Sequence, residues 1–193
     1  MKYVSHATCM ICNKTFEKGE FDYVCPDHGN EGILDIQYDY DAIKKGFTKD
    51  QLAANKDLSI WRYKPLLPVD ENSPVPNLSV GNTPLLKLDA LAHQLGVKHF
   101  YLKDDGRLPT ASFKDRASAI AVVKAQEAKA KVVTTASTGN AAAALSGLCA
   151  SMGQANIIFV PATAPQAKIA QLLMFGSRVM LVDGSYDDAF ELC

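Results

Sequence analysis

The chain of 193 residues carries 48% hydrophobic and 21% charged residues, enough to bury one domain core plus a small appendage. Its formal net charge of -1, with no basic tract, excludes the electrostatic footprint of a nucleic-acid or anionic-membrane binder. No apolar stretch reaches the length of a bilayer span and no apolar signal core follows Met1 to His6, so the expectation is a cytoplasmic protein with no nucleic-acid or membrane partner.

The first forty residues form a compositional unit of their own, too small to bury a core alone. Cys9-Met10-Ile11-Cys12 and Cys25-Pro26-Asp27-His28 read as two turns, each bringing two ligands to one face, and thiolates with a neutral imidazole suit tetrahedral zinc. Four protein ligands close the coordination sphere, so Cys9, Cys12, Cys25 and His28 are expected to hold a structural zinc, with His6 as a spare. The odd count of five cysteines points to metal or free thiols rather than a disulfide framework. A strand-like run follows at Ile33 to Tyr38. Thr48 with Gln51 three residues on forms a capping-box pattern opening a short helix toward Asn55. Pro65, Pro68, Pro74 and Pro76 then mark an extended connector ending at Gly81-Asn82-Thr83-Pro84. The organisation expected is a zinc-ribbon-like unit over 1–40, a helical segment and connector over 41–82, and an α/β region over 83–193.

From residue 83, strand and helix alternate. Strands are predicted at Leu85 to Leu88, His99 to Lys103, Lys131 to Thr135, Asn156 to Val160 and Arg178 to Val182. Helices are predicted at Asp89 to Leu95, Phe113 to Lys129, Gly139 to Met152, Pro165 to Phe175 and from Tyr186 onward. Gly96, Gly153 and Gly176 fall just past helix ends, where a left-handed residue is wanted. Short apolar strands alternating with amphipathic helices predict an α/β fold: an open, mainly parallel sheet covered by helices on both faces, with ligands at the carboxyl ends of the strands. Ser185 and Asp188 open a helix that has run little more than two turns when the sequence ends, and the expectation is the N-terminal portion of a longer protein.

Two loops carry chemistry. In Leu108-Pro109-Thr110-Ala111-Ser112-Phe113-Lys114-Asp115-Arg116, Ser112 followed by Asp115 has the spacing of an N-cap, which places Lys114 just inside a helix start. The helix dipole opposes a cation there by roughly 0.3–1 kcal/mol, under one pKa unit, and burial would have to supply the rest of the push toward the neutral amine that Schiff-base chemistry requires. The alternative is a solvated lysine behind an ordinary cap. The second loop, Ser137-Thr138-Gly139-Asn140, presents hydroxyls, a glycine and an asparagine at a helix N-terminus and can cradle a carboxylate or phosphate. Its alternative is an ordinary N-cap cluster satisfying orphan amides. Asp104 and Asp105 read as a solvated turn.

Together these loops resemble the pyridoxal-phosphate enzymes of the tryptophan-synthase-beta type, and among them the threonine synthases. Similar also are Gly81-Asn82-Thr83-Pro84-Leu85 and Leu102-Lys103-Asp104-Asp105, in family order at compatible spacing, and the cysteine unit is similar to the zinc-ribbon-like start of many threonine synthases. The resemblance implies that Lys114 forms the aldimine with pyridoxal phosphate, that Phe113 packs against the cofactor ring, and that Asn140 hydrogen-bonds the ring hydroxyl oxygen. It implies that Ser137, Thr138, Gly139 and Asn140 hold the substrate, a small-molecule amino-acid phosphate, in a homodimer. The implied reaction converts O-phosphohomoserine and water to threonine and phosphate. Two departures stand out: Leu108-Pro109-Thr110-Ala111 replaces the family's Asn-Pro-Thr-Gly, and Ala141 stands where many members carry threonine. The family's glycine-rich phosphate loop and the residue facing the pyridine nitrogen find no counterpart among the twelve scattered glycines or elsewhere in this sequence, so the chain alone is expected to be inactive. Rival readings are a threonine or serine dehydratase, a cysteate synthase, or a non-catalytic zinc-ribbon interaction protein.

Overall fold

Strand β1 (Val4–Cys9) alternates buried Val4, Ala7 and Cys9 with more exposed polar residues. It is the middle strand of an antiparallel sheet, flanked by β2 (Thr15–Glu17) and β3 (Leu34–Tyr38). Cys9, Phe16 and Cys25 form its small core, with Phe21 and Leu34 packed against them. The computed structural model describes residues 1–21 and 23–193. They divide into two compact units, residues 1–57 with 61–72, and residues 58–60 with 73–193.

In the first unit, helix α1 (Tyr40–Gly46) is capped by Asp39, whose carboxylate accepts from the Ala42 amide at 2.9 Å. Helix α2 (Lys49–Ala54) opens on the expected capping box: Thr48 Oγ1 accepts from the Gln51 amide and Gln51 Oε1 from the Thr48 amide. Strands β1 and β2 and helix α1 have no counterpart in the sequence reading. They are three to seven residues long, below the length at which apolar periodicity becomes distinct.

The second unit alternates as expected: β4 (Leu85–Lys87), α3 (Asp89–Gln94), β5 (Tyr101–Lys103), α4 (Lys114–Glu127), β6 (Val133–Ala136), α5 (Asn140–Met152), β7 (Asn156–Pro161), α6 (Gln166–Met174), β8 (Arg178–Val182) and α7 (Tyr186–Leu192). Strands β6, β7 and β8 form a parallel sheet in that order. Helices α5 and α6 pack against each other, α5 against β7, α6 against β8 and α7 on β6 and β7, while Met180 and Leu181 of β8 stay exposed. The sheet is shorter than the five strands anticipated, because β4 and β5 pair antiparallel as a separate ribbon. The six-residue helix α3, closed by left-handed Gly96, turns the chain back beside β4 and does not carry it across a sheet face.

Helix α5 is the centre of this unit. Eight consecutive residues from Ala142 to Cys149 are buried, which small side chains permit on a helix enclosed on several sides. Burial pushes the Cys149 thiol up to about 11, so it is an inert core residue. A Cβ at Gly147 would stand 2.8 Å from Thr110 Cγ2, so this glycine lets α5 approach the loop that precedes Lys114. The turn at Gly81, with φ +124°, brings its Cα within reach of the backbone of Ser59 and Ile60, whose amide donates to the Val80 carbonyl at 2.7 Å. Among the described residues no helix is long and apolar enough to cross a membrane.

Candidate functional site

Lys114 is the first residue of α4 and is half-buried, with its Nζ 4.7 Å from the centroid of the Phe113 ring. Phe113 itself is 61% exposed, with Lys114 Nζ over one face of its ring. Lys114 Nζ forms no ion pair among the described residues. The expected cap by Ser112 and Asp115 is not formed as a box. Ser112 Oγ accepts weakly from the Lys114 amide at 3.3 Å, whereas Asp115 turns back into the loop. Its carboxylate, fully buried, accepts from the Thr110 amide at 2.8 Å and from the Thr110 hydroxyl. A buried carboxylate needs more than one donor, and Thr110 supplies two where the cap position offers one.

This latch holds Ala111 at φ +60°, the left-handed region, at the position where the resembling family carries glycine. A Cβ there costs about 1 kcal/mol. Ala111→Gly is therefore expected to raise the thermal midpoint by roughly 2–4 °C, an increment of about 1 kcal/mol, in a melt monitored by circular dichroism. A lowered midpoint would show that the loop relaxes out of this conformation.

Asp104 and Asp105 part ways. Asp104 caps a single 3₁₀ turn, accepting from the Gly106 amide at 3.2 Å, as a solvated turn residue does. Asp105 instead faces inward. Its Oδ2 accepts from Arg116 Nε at 2.8 Å and its Oδ1 from Arg116 Nη2 and Thr83 Oγ1, both at 2.7 Å. The Arg116 bonds, helped by Thr83, pull the Asp105 carboxyl down to about 2. A depressed value means that the pairing is complete above the ordinary carboxyl range of about 4 and is lost only as pH falls through about 2.

The second loop follows β6. The Ser137 amide donates to the Phe159 carbonyl, and Ser137 Oγ accepts from the Gly139 amide at 3.2 Å. Helix α5 has no side-chain cap, and its first internal bond runs from Ala143 to Gly139, so the amides of Asn140, Ala141 and Ala142 have no acceptor among the described residues. Helices α2 and α7, by contrast, carry full capping boxes. Three open amides at the carboxyl end of a parallel strand suit a carboxylate. Asn140 is exposed, and its Oδ1 accepts from Lys168 Nζ at 3.3 Å. An ammonium can only donate, so this bond fixes the amide orientation and leaves Nδ2 free to donate to an oxygen.

In the first unit the metal-ligand atoms of Cys9, Cys12, Cys25 and His28 all lie within 4.8 Å of one another, with Cys9 Sγ 3.8 Å from His28 Nδ1. That separation is close to the ~3.6 Å edge between a sulfur at ~2.3 Å and a nitrogen at ~2.0–2.1 Å from a tetrahedral zinc. Both turns tighten through backbone bonds, Asn13 amide to Cys9 carbonyl and the His28 and Gly29 amides to the Cys25 carbonyl. The Cys12 and Ile11 amides lower the Cys9 thiol to about 7 against the opposing effect of burial. His6 lies in β1 beside Ser5, outside the cluster.

Residues 77–193 match the family model for pyridoxal-phosphate dependent enzymes. The chain belongs to that family. It is 37% identical over 185 residues to the threonine synthase of Methanocaldococcus jannaschii, a match spanning 95% of this chain and 45% of that protein. It is 39% identical over 188 residues to the threonine synthase of Methanosarcina acetivorans, spanning 97% and 45%. Among solved structures, the processed form of threonine deaminase isoform 2 from Solanum lycopersicum aligns with a TM-score of 0.51 at 32% identity over 56% of this chain and 30% of that one. A pyridoxal 5'-phosphate-dependent aspartate racemase aligns with a TM-score of 0.51 at 30% identity, over 56% and 36%. The chain thus spans about 45% of the length of these two curated relatives.

As a member of the pyridoxal-phosphate dependent enzymes, the chain offers residues that fit the cofactor: a primary amine with no ion-pair partner among the described residues, an exposed aromatic ring and a fixed amide donor. Sequence reasoning named these but missed their supports. Asp105, Thr83 and Arg116, Gly147 and Lys168 are set by tertiary contact, and the Thr110–Asp115 latch by a local side-chain bond that runs against the cap spacing. Gly147 alone had a local signal, a glycine in mid-helix without a local reason for it.

Proposed function

We propose that this chain supplies the lysine and carboxylate-binding loop of a threonine synthase, which converts O-phosphohomoserine and water to threonine and phosphate. One observation carries the choice among members of the fold. The Methanocaldococcus and Methanosarcina threonine synthases align over 95% and 97% of the chain, the cysteine-bearing first unit included, whereas the threonine deaminase structure aligns over 56%.

Lys114 Nζ is the group that would hold the cofactor's aldehyde carbon, and its amine is the base placed to take the substrate α proton and to move protons at the β carbon. Pyridoxal phosphate would supply the electron sink for the charge left at the substrate α carbon. Asn140, whose Oδ1 is held by Lys168 Nζ, would turn its Nδ2 toward the cofactor's ring hydroxyl oxygen, and Phe113 would flank the ring. Ser137, Thr138, Gly139 and the open α5 amides bind the substrate α-carboxylate and orient its α C–H toward Lys114. A structural zinc on Cys9, Cys12, Cys25 and His28 completes the reading: four protein ligands leave it no open position for water activation.

Visible absorption with pyridoxal phosphate, then borohydride reduction and mass mapping, tests the assignment. The expected result is an adduct concentrated on Lys114 and abolished by Lys114→Ala. Adducts spread evenly over the exposed lysines would sink it. Threonine and phosphate release from O-phosphohomoserine, compared with 2-oxobutanoate release from threonine by the complete enzyme, separates the synthase from a dehydratase.

A further inference from the structure

Arg116 lies two residues beyond Lys114, in the first turn of α4, and meets Asp105 in a two-point bond of 2.8 and 2.7 Å. Asp105 stands in the 3₁₀ turn just after β5. Thr83 joins the pair from the turn before β4: its hydroxyl donates to Asp105 Oδ1 at 2.7 Å and accepts from Arg116 Nη2 at 3.3 Å. The Thr83 carbonyl in turn accepts from Lys103 Nζ, at the end of β5. Three chain segments therefore converge on one carboxylate beside the start of α4.

Asp105 and Arg116 are partly solvated, with side chains 21% and 34% exposed, and an ion pair of that kind adds little to stability. Its geometry is another matter. A planar guanidinium bonded at two points to a carboxylate that is itself pinned by Thr83 fixes direction as well as distance. Lys114 has a long flexible stem, and fixing the backbone from which it springs narrows the volume its amine can reach. The Thr110–Asp115 latch closes the loop on the other side of the lysine.

We propose that Asp105, Arg116 and Thr83 form a positioning clamp that fixes the first turn of α4 and thereby sets Lys114 for attack on the cofactor's aldehyde. The clamp rests on the assignment of Lys114 as the cofactor lysine. Asp105 and Arg116 are positioning residues and make no contact with cofactor or substrate in this scheme.

The test compares the parent chain with Arg116→Lys, Asp105→Asn and the exchange Asp105→Arg with Arg116→Asp. Each is incubated with pyridoxal phosphate, reduced with borohydride and digested, and the adduct at Lys114 is read as a ratio to that at Lys129 in the same digest. The thermal midpoint of each variant is measured alongside. Arg116→Lys keeps the charge but loses the two-point bond, and its ratio is expected to fall roughly ten-fold while it remains folded at the assay temperature. Asp105→Asn is expected to fall at least as far, and the exchange to recover part of the loss. Variant ratios equal to that of a parent that does label Lys114 would overturn the clamp alone. A loss seen only in variants that melt below the assay temperature would overturn it as well, because the role would then be structural. A parent with no preference for Lys114 would overturn the functional reading, and the clamp with it.

Discussion

Stripping the zinc proposed for Cys9, Cys12, Cys25 and His28 with a strong chelator is expected to unfold strands β1 to β3. Among the described residues, two of the three buried side chains of this cluster are the ligands Cys9 and Cys25, and the third, Phe16, has only the partly buried Phe21 and Leu34 packed with it. Burying such a side chain contributes about 1.5–3 kcal/mol, whereas ordering each backbone residue costs about 1–2 kcal/mol. That apolar contribution is several-fold smaller than the apparent ~10–16 kcal/mol that structural zinc supplies in small zinc domains, so the metal is the larger single stabilising term. Amide hydrogen exchange resolved by peptide is the measurement: β1 and β3 should lose protection on chelation and regain it with added zinc. Protection unchanged by chelation would show that the strands hold without metal. Gly32 gives a subtler probe, since a Cβ there would lie 2.6 Å from Cys25 Cβ and 2.8 Å from His28 Cβ. Gly32→Ala should weaken zinc retention at least ten-fold in a competition with a chromogenic chelator, because it pushes apart the two ligands of the second turn.

Gly81→Ala should be the most damaging single methyl in the second unit, at roughly 3 kcal/mol. Two effects add. At φ +124° the backbone occupies a region that L residues rarely adopt, and the new Cβ would sit 2.8 Å from the Ile60 nitrogen. Relief requires the chain to shift, which costs the Ile60 amide its 2.7 Å bond to Val80. Gly153→Ala is the matched control. Its φ of +64° is also left-handed, but a Cβ there meets nothing within 4 Å, so only about 1 kcal/mol is expected. Chemical denaturation of both variants decides it, and equal losses would mean that the close approach at Gly81 relaxes freely.

Much of this architecture was legible in local patterns. The second-unit helices, the capping boxes at Thr48 and Ser185, and left-handed Gly96, Gly153 and Gly176 fall where sequence placed them, because each depends on neighbours within a few residues. Strand partnership was less legible. Strands β4 and β5 have the same composition as parallel strands, and only the turn through α3 makes them antiparallel. At the site, Lys114 and the Ser137–Asn140 loop stood out by residue type at helix starts. Asp105 did not, since a carboxylate beside Asp104 looks like any solvated turn until Arg116, eleven positions on, is brought to it. Ser112 misled for the opposite reason: its cap spacing is a real local signal, overridden by the deeper need of buried Asp115 for two donors.

The Thr110–Asp115 latch also bears on the order in which the molecule assembles. Its partners are five residues apart and those of the Asp105–Arg116 bond eleven, while pairing β6 with β7 joins positions such as Val133 and Asn156 across the whole of α5. Short loops close in about 10–100 ns and carry a small entropic penalty, whereas parallel strands must wait for their crossover helix. The lysine turn thus closes through a bond local in sequence, and α5, with Gly147 against Thr110, packs on it from a distant part of the chain.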